Sequence, residues 1–360
     1  MAPGIFEIEG QDYWTDPFKF SSRVLRKFLP EGRYGLFLDA PAEADLARSE
    51  RIPLLALYAA TQQELRVYDP WSAGHLVAVR LEDRTLDLTP LFAPPEQPGL
   101  FDQDPPPSEP PGPGALAIVE QTDALRLDSL QQPGHYLLTA LMLDRTSNRV
   151  QVHVTRPTAG YQDEEVARFL EALRQQPPPP EPVRYAPGED ERPFQARPGS
   201  PPPPEAPGIA VHGERVFLYE PGRPAWIRGT FQVPVLAHER VPHRPEQGDD
   251  DGYGEPRPVA IVPVSLVVIG SRTGEAEVMS LRVPCFQDAP LEEGSLVTGH
   301  FEYDLFQHPA FTGKAQTNFV YAFCGEAMSG PTRMAVVTRD MLELGGHRKQ
   351  GTGTTLPRLR

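Results

Sequence analysis

The chain has 360 residues and a formal net charge of −15, from 34 basic and 49 acidic side chains. A chain of this length is too long to fold around one ordinary hydrophobic core, so two domains are expected. The acidic balance argues against a protein that grips phosphate backbones, because that affinity comes from clustered Lys and Arg. We therefore expect no nucleic-acid partner.

Residues 1–30 are predicted to be an N-terminal extension with one short helix. Asp16 suits the N-cap, Pro17 suits the first helical position, and Pro30 ends the pattern. The extension lacks a basic segment followed by an apolar one, so no secretory signal is expected. Because no stretch of the chain is long and apolar enough to span a bilayer, we also expect a cytoplasmic protein without a membrane partner.

Residues 31–157 consist of short apolar runs bounded by turn residues, and the runs are rich in Leu, Val, Ile and Tyr. This pattern predicts a series of strands without intervening helices, which is typical of a β-sandwich domain. The segment 94–114 within it is rich in proline and is predicted to be an exposed loop, since proline lacks the donor that a ladder needs. Such a loop is either a ligand for an aromatic-lined groove or a passive insertion.

One tyrosine of this region suggests a particular turn. Tyr136 lies two residues after Gly134, where a strand begins after a loop. This segment resembles the tyrosine corner of immunoglobulin-like domains. The resemblance implies that the phenol hydroxyl of Tyr136 hydrogen-bonds to the backbone a few residues upstream and so holds the turn between two sheets.

A second helix is predicted over 161–176, where acidic residues fill the first turn and apolar residues form one stripe. Residues 177–208 follow as a proline-rich linker without apolar periodicity, and this linker accounts for many of the chain's 44 prolines. We place the domain boundary there.

Residues 209–343 again show strand-like apolar runs and predict a second β-sandwich, followed by a basic, flexible tail over 344–360. The predicted fold class is therefore all-β. It comprises two antiparallel β-sandwich domains of immunoglobulin-like or jelly-roll-like type, with short flanking helices and a proline-rich linker. Each domain is expected to bury its own interior.

The search for chemical motifs finds no phosphate-binding loop, dinucleotide fingerprint, nucleophile elbow or HExxH sequence. We expect a non-enzymatic protein and assign neither a catalytic residue nor a cofactor. A metal site would need three or four converging ligands, and the spacing supplies only candidates. These candidates are His238, His243, Asp249, Asp251 and Glu255. The loop 247–255 either binds calcium through its carboxylates or is an acidic loop that joins two strands.

The two cysteines, Cys285 and Cys324, fit a reducing compartment and are interpreted as buried thiols. No cation or histidine lies beside either of them in sequence to activate it. Their spacing leaves open whether they form a disulfide.

Three functional hypotheses follow from different protein classes. The first is a binding or assembly protein that uses two sandwiches for protein–protein interaction, with a homo-oligomer left open. The second is an accessory subunit that docks to an enzyme or a shell through its C-terminal tail. The third is a carbohydrate-binding or hydrolytic protein. Its cleft would be lined by Trp226, Tyr303, Tyr321, Glu302 and Asp304.

Overall fold

The computed structural model describes most of the two strand-rich regions of the chain. The residues described are 35–46, 52–60, 70–92, 116–156, 202–213, 216–220, 222–241, 259–286, 291–311 and 315–339. Below, the first half means the described residues of 35–156, and the second half those of 202–339. Several predicted segments lie outside these residues, namely the extension 1–30, the loop 94–114, the helix 161–176, the linker up to residue 201 and the tail 344–360.

The described part of each half forms nine strands. Those of the first half are β1 (Gly35–Asp39), β2 (Glu43–Asp45), β3 (Pro53–Ala60), β4 (Gly74–Arg80), β5 (Leu86–Pro90), β6 (Leu116–Asp123), β7 (Gly134–Met142), β8 (Arg145–Thr146) and β9 (Val150–Arg156). Those of the second half are β10 (Gly208–Gly213), β11 (Val216–Leu218), β12 (Trp226–Pro234), β13 (Ala260–Gly270), β14 (Ala276–Cys285), β15 (Leu296–Asp304), β16 (Thr317–Cys324), β17 (Ala327–Met328) and β18 (Thr332–Val337).

The strands of each half form one three-stranded and one six-stranded sheet. The first half has the orders β1-β3-β6 and β2-β9-β7-β4-β5, with β8 beside β7. The second half has the orders β10-β12-β15 and β11-β18-β16-β13-β14, with β17 beside β16. The two halves therefore have the same strand order, with β10 to β18 matching β1 to β9. In each half the short second strand runs parallel to the last one, and the other pairs are antiparallel.

The prediction of a mostly-β fold with several, largely antiparallel sheets is confirmed. The complete helical elements of the described residues are the single turn Pro70–Ala73 and four short 3₁₀ turns, and Arg339, the last described residue, is also helical. None of these described helices has the length and apolar character needed to cross a membrane.

The central strands of the six-stranded sheets are buried on both faces. β7 is buried from Tyr136 to Met142, and β13 is buried from Val264 to Gly270. A strand that is covered on both sides needs apolar residues at consecutive positions, because neither face meets water. This explains the continuous, mostly apolar runs YLLTALM and VSLVVIG, which do not alternate as half-exposed strands do.

The residues of the two hydrophobic cores show what covers the second face of these central strands. One cluster of buried side chains is confined to the second half. The other joins the first half's two sheets and also contains five residues of the second half's six-stranded sheet: Val267, Ile269, Phe319, Tyr321 and Phe323. The two halves therefore pack against each other, and the first half's core extends onto the second half's six-stranded sheet, while the second half also has a core of its own. Local periodicity cannot distinguish a strand covered by its own domain from one covered by a neighbour.

Candidate functional site

The main polar feature of the contact between the halves is Arg84, in the turn that connects β4 to β5. The turn is closed by the Arg80 backbone N–H, which donates to the Thr85 carbonyl at 2.9 Å. Asp83 supports it by accepting from the Thr85 N–H at 3.0 Å and from the Thr85 hydroxyl at 2.7 Å. Arg84 itself has a φ of 59°, in the left-handed region that residues with a Cβ rarely adopt. This conformation carries its side chain out of the first half.

The guanidinium of Arg84 is surrounded by acceptors of the second half. Its Nε donates to Glu239 Oε1 at 2.6 Å, and its Nη2 donates to Glu239 Oε2 at 3.3 Å and to the Pro234 carbonyl at 2.5 Å. Its Nη1 donates to the Cys324 carbonyl at 3.3 Å and to Cys324 Sγ at 3.4 Å. These contacts match the five N–H groups of a guanidinium.

The Arg84–Glu239 ion pair is withdrawn from water. The side chain of Arg84 is 5% exposed and that of Glu239 is 0% exposed. Glu239 lies on a 3₁₀ turn, where its Oε2 also accepts from the Leu236 N–H at 2.8 Å. Charges this deeply buried are tolerated only when they are paired and hydrogen-bonded, and removal of one partner costs about 3–5 kcal/mol. The pair therefore holds the two halves in one relative position.

A second contact lies at the corresponding turn of the second half, between β13 and β14. Gly274 occupies the position that matches Arg84, because the Gly270 N–H donates to the Glu275 carbonyl at 2.9 Å just as Arg80 does to Thr85. Gly274 has a φ of 71°, and a Cβ at this residue would lie 2.4 Å from the Ser72 carbonyl oxygen. Glycine is therefore required here by both conformation and space.

His75 of the first half contacts this glycine. Its Nε2 lies 2.7 Å from the Gly274 carbonyl oxygen, and since a carbonyl only accepts, Nε2 carries the proton and donates. Burial lowers the pKa of His75 below its ordinary value, although the hydrogen bond to Gly274 acts in the opposite direction. The imidazole is therefore held in its neutral form and has a structural role in the contact.

Three further hydrogen bonds cross between the halves, and one of them joins the Tyr321 hydroxyl to the Arg145 carbonyl at 3.4 Å. The Tyr321 hydroxyl, which is buried, donates to the Leu143 carbonyl in the turn between β7 and β8. Arg149 Nη1 donates to the Glu326 carbonyl at 2.6 Å in a more exposed part of the contact. The contact thus combines an apolar patch with hydrogen bonds from Arg84, His75, Tyr321 and Arg149.

The cysteines are not activated. Cys285 and Cys324 are both buried and both free. Burial raises the pKa of each thiol to about 12. Because the thiolate is the nucleophilic form, neither residue is suited to covalent catalysis. The structure thus answers the question that the sequence left open about a disulfide, since the two residues are unpaired.

Tyr136 and Gly134 lie at the start of β7. Tyr136 is fully buried, and its hydroxyl contacts the Ser129 carbonyl at 2.6 Å and the Gln132 carbonyl at 2.9 Å. Burial raises the pKa of Tyr136 to about 12. The hydroxyl therefore stays protonated and can donate to the loop that precedes its strand.

The predicted metal candidates are not brought together in the described structure. His238 is exposed on the 3₁₀ turn beside Glu239. The other four, His243, Asp249, Asp251 and Glu255, lie outside the described residues, as does the whole loop 247–255. Within the described ranges, no three His, Cys, Asp or Glu side chains are grouped so that they could hold a metal ion.

The residues proposed to line a carbohydrate cleft have other contacts. Tyr321 lies in the contact between the halves. Asp304 accepts from the Ala225 N–H at 2.8 Å and the Phe306 N–H at 3.0 Å, while Glu302 pairs with Arg228 at 2.8 Å. Trp226 stands opposite Asp304 across β12 and β15, and Tyr303 packs partly against the core of the second half.

Sequence reasoning did not single out Arg84, Glu239 or His75. Each is a common residue in or near a turn, and no motif marks it. The one available signal was the equal spacing of the two turns, DRTL (83–86) and TGEA (273–276), which becomes visible only after the strands have been matched between the halves. No protein-family model matches the chain, and a search of curated proteins returns no match.

Proposed function

We propose that the protein is a non-enzymatic binding or assembly protein whose two halves act as one rigid platform for a protein partner. The observation that carries this proposal is the buried contact of Arg84 with Glu239, Pro234 and Cys324. A contact that satisfies every donor of a buried guanidinium tolerates little relative motion, because displacement would leave charges unpaired in a medium of low polarity. Surfaces on both halves would then meet a partner with fixed spacing.

The internal contacts of the buried ionisable side chains also support the proposal of a non-enzymatic protein. Arg84, Glu239, His75 and Tyr321 serve contacts inside the molecule, and the two thiols are kept protonated by burial. Groups occupied in this way are not free to perform acid–base or nucleophilic chemistry. The outer surface remains as the means of interaction.

One edge of the first half's three-stranded sheet is already closed to a partner strand. The Asn148 side chain accepts from the Leu38 N–H at 2.9 Å and donates to the Leu38 carbonyl at 2.8 Å. This amide takes the place of a neighbouring peptide along β1, which is a means of protecting sheet edges from unwanted pairing. We therefore place partner binding on turns and outer faces rather than on this edge.

We also propose that each half is a β-sandwich domain of immunoglobulin-like type. The matching strand orders, the parallel pairing of β2 with β9 and of β11 with β18, and the Tyr136 hydroxyl contact with the preceding loop support this assignment. Two unpaired cysteines further support a reducing compartment, and we propose the cytoplasm.

The test is affinity purification of the full-length protein from extracts of its own organism, with Arg84→Ala and Arg149→Ala as parallel baits. We expect one protein to be recovered in stoichiometric amount with the unmodified chain and with Arg149→Ala. We expect less of it with Arg84→Ala, because the halves lose their fixed spacing. A strictly monomeric protein that recovers no stoichiometric partner in any extract would contradict the proposal.

A further inference from the structure

The acceptors that surround Arg84 all come from the second half. They are the carboxylate of Glu239, the carbonyl of Pro234, and the carbonyl and thiol of Cys324. They stand around one planar group, with the carboxylate facing the Nε edge and the carbonyls facing the outer N–H groups. We call these three residues the guanidinium cradle.

The cradle is positioned by bonds that do not involve the first half. Glu239 is held by the Leu236 N–H, which donates to its Oε2 at 2.8 Å. Pro234 ends β12, where it pairs with Leu296 of β15, and Cys324 pairs with Ala327 of β17. A site whose groups are already oriented binds its ligand without a further cost of ordering them.

The cradle also has space for a flat group. Gly325 follows Cys324 in a left-handed turn with a φ of 59°, and a Cβ at this residue would lie 2.9 Å from Arg84 Nη1. Any other residue would therefore intrude on the position of the guanidinium. The lack of a side chain at Gly325 and the positions of the three acceptor residues are independent features that fit the same ligand.

We infer that the second half carries a preformed binding site for a guanidinium group, which Arg84 occupies in the folded chain. The ligand class is a planar cation that donates in two directions, since the carboxylate and the carbonyls need a forked set of N–H groups. An ammonium ion of the same charge cannot supply that geometry. This inference depends on the cradle alone and not on the proposed binding of a protein partner.

The experiment removes the resident ligand and offers a substitute to the full-length chain. Arg84→Ala leaves the cradle intact and empty of its side chain. Thermal unfolding is followed while methylguanidinium chloride is added at constant ionic strength, with methylammonium chloride as the matched cation. We expect a saturable rise in Tm for Arg84→Ala at roughly millimolar methylguanidinium, because a ligand that binds only the folded state stabilises it. Methylammonium should give a clearly smaller rise.

Two further chains make the result specific. The unmodified protein should not respond, since Arg84 fills the cradle. The double variant Arg84→Ala/Glu239→Gln should also not respond, since the carboxylate is gone. Equal responses to the two cations, or an equal response of the double variant, would overturn the inference.

Arg84→Ala is expected to be unstable, so a second measurement covers the case in which it does not fold at room temperature. Its refolding yield after dilution from urea is then compared with and without methylguanidinium. A yield that methylguanidinium increases and methylammonium does not supports the cradle. If the double variant folds and Arg84→Ala is rescued by neither cation, the inference is wrong.

Discussion

Tyr136 and Asn318 occupy matching positions in the two halves. Tyr136 of β7 lies opposite Arg80, the last residue of β4, and Asn318 of β16 lies opposite Gly270, the last residue of β13. Both are fully buried. The Tyr136 hydroxyl contacts two carbonyl oxygens, whereas neither amide atom of Asn318 has a hydrogen-bond partner among the described residues. A matching strand order has therefore produced two different polar environments.

We predict that Asn318→Leu stabilises the protein. Leu has the same branching as Asn and removes two buried polar atoms, whose unmet hydrogen bonds cost about 1–3 kcal/mol. The free energy of unfolding in urea should rise by a comparable amount. Asn318→Val serves as a smaller replacement, in case the extra volume of Leu strains the site. Loss of stability in both variants would show that the amide has a partner in solution.

We predict that Tyr136→Phe destabilises the protein by about 0.5–1.5 kcal/mol, the net value of a typical hydrogen bond. The ring stays in the core, while the carbonyls of Ser129 and Gln132 lose the hydroxyl. Urea unfolding of both proteins measures the difference. An unchanged free energy of unfolding would mean that water replaces the hydroxyl without loss.

We predict strong coupling between Arg84 and Glu239. Arg84→Ala should cost about 3–5 kcal/mol, because it leaves a buried carboxylate without its cation. Adding Glu239→Gln removes that charge, so the double variant should be more stable than Arg84→Ala alone. A double-mutant cycle in urea measures the coupling.

The control for this cycle is Arg149→Ala. Arg149 contacts the second half through a more exposed hydrogen bond to the Glu326 carbonyl, so its loss should change stability by no more than about 0.5 kcal/mol. Additive effects of Arg84→Ala and Glu239→Gln would contradict the ion pair as the main polar contact between the halves.

We predict a specific pH dependence from His75. Its pKa is lowered in the folded state, mainly by burial, so below the ordinary value of 6.5 the unfolded chain binds a proton that the folded chain does not. The contribution of His75 to stability is therefore present above pH 6.5 and decreases as the pH falls below it. His75→Gln keeps a side chain that can donate to the Gly274 carbonyl and does not titrate.

The measurement compares the free energies of unfolding of the two proteins at several values between pH 7.5 and 5. The unmodified protein should lose stability relative to His75→Gln as the pH falls. Because the difference between the two proteins is used, the contribution of His300, whose pKa burial also lowers, cancels. A constant difference across this range would contradict the neutral buried imidazole.

We predict that Cys285 and Cys324 resist modification in the folded protein. Burial removes both thiols from solvent and raises the pKa of each to about 12, so the reactive thiolate is scarce at pH 8. A coloured thiol-exchange reagent should react with both cysteines in urea and with neither before unfolding. Rapid reaction of either thiol in the native protein would show that the contact near Cys324, or the end of β14 at Cys285, opens readily.

Much of the fold was predictable because the periodicity of apolar side chains is a local property of the sequence. The apolar runs in β7 and β13 indicate strands, and turn residues separate them, so the mostly-β architecture follows from neighbouring positions in sequence. The hydroxyl of Tyr136 contacts residues only four and seven positions earlier, which is why the segment around it suggested a turn at all. Contacts of such short range leave a trace in the sequence.

The contact between the halves leaves no such trace. Arg84 and Glu239 are 155 positions apart, and their pairing depends on how two sheets are rotated and placed against each other. The apolar runs of β4, β7, β13 and β16 record only that both faces of these strands avoid water. They do not record which surface covers the second face, because the hydrophobic effect is non-directional. The amino-acid sequence determined by itself that both halves are strand-rich, whereas only the tertiary structure decided that the two six-stranded sheets cover each other and that an arginine in one turn fills a cradle in the other half.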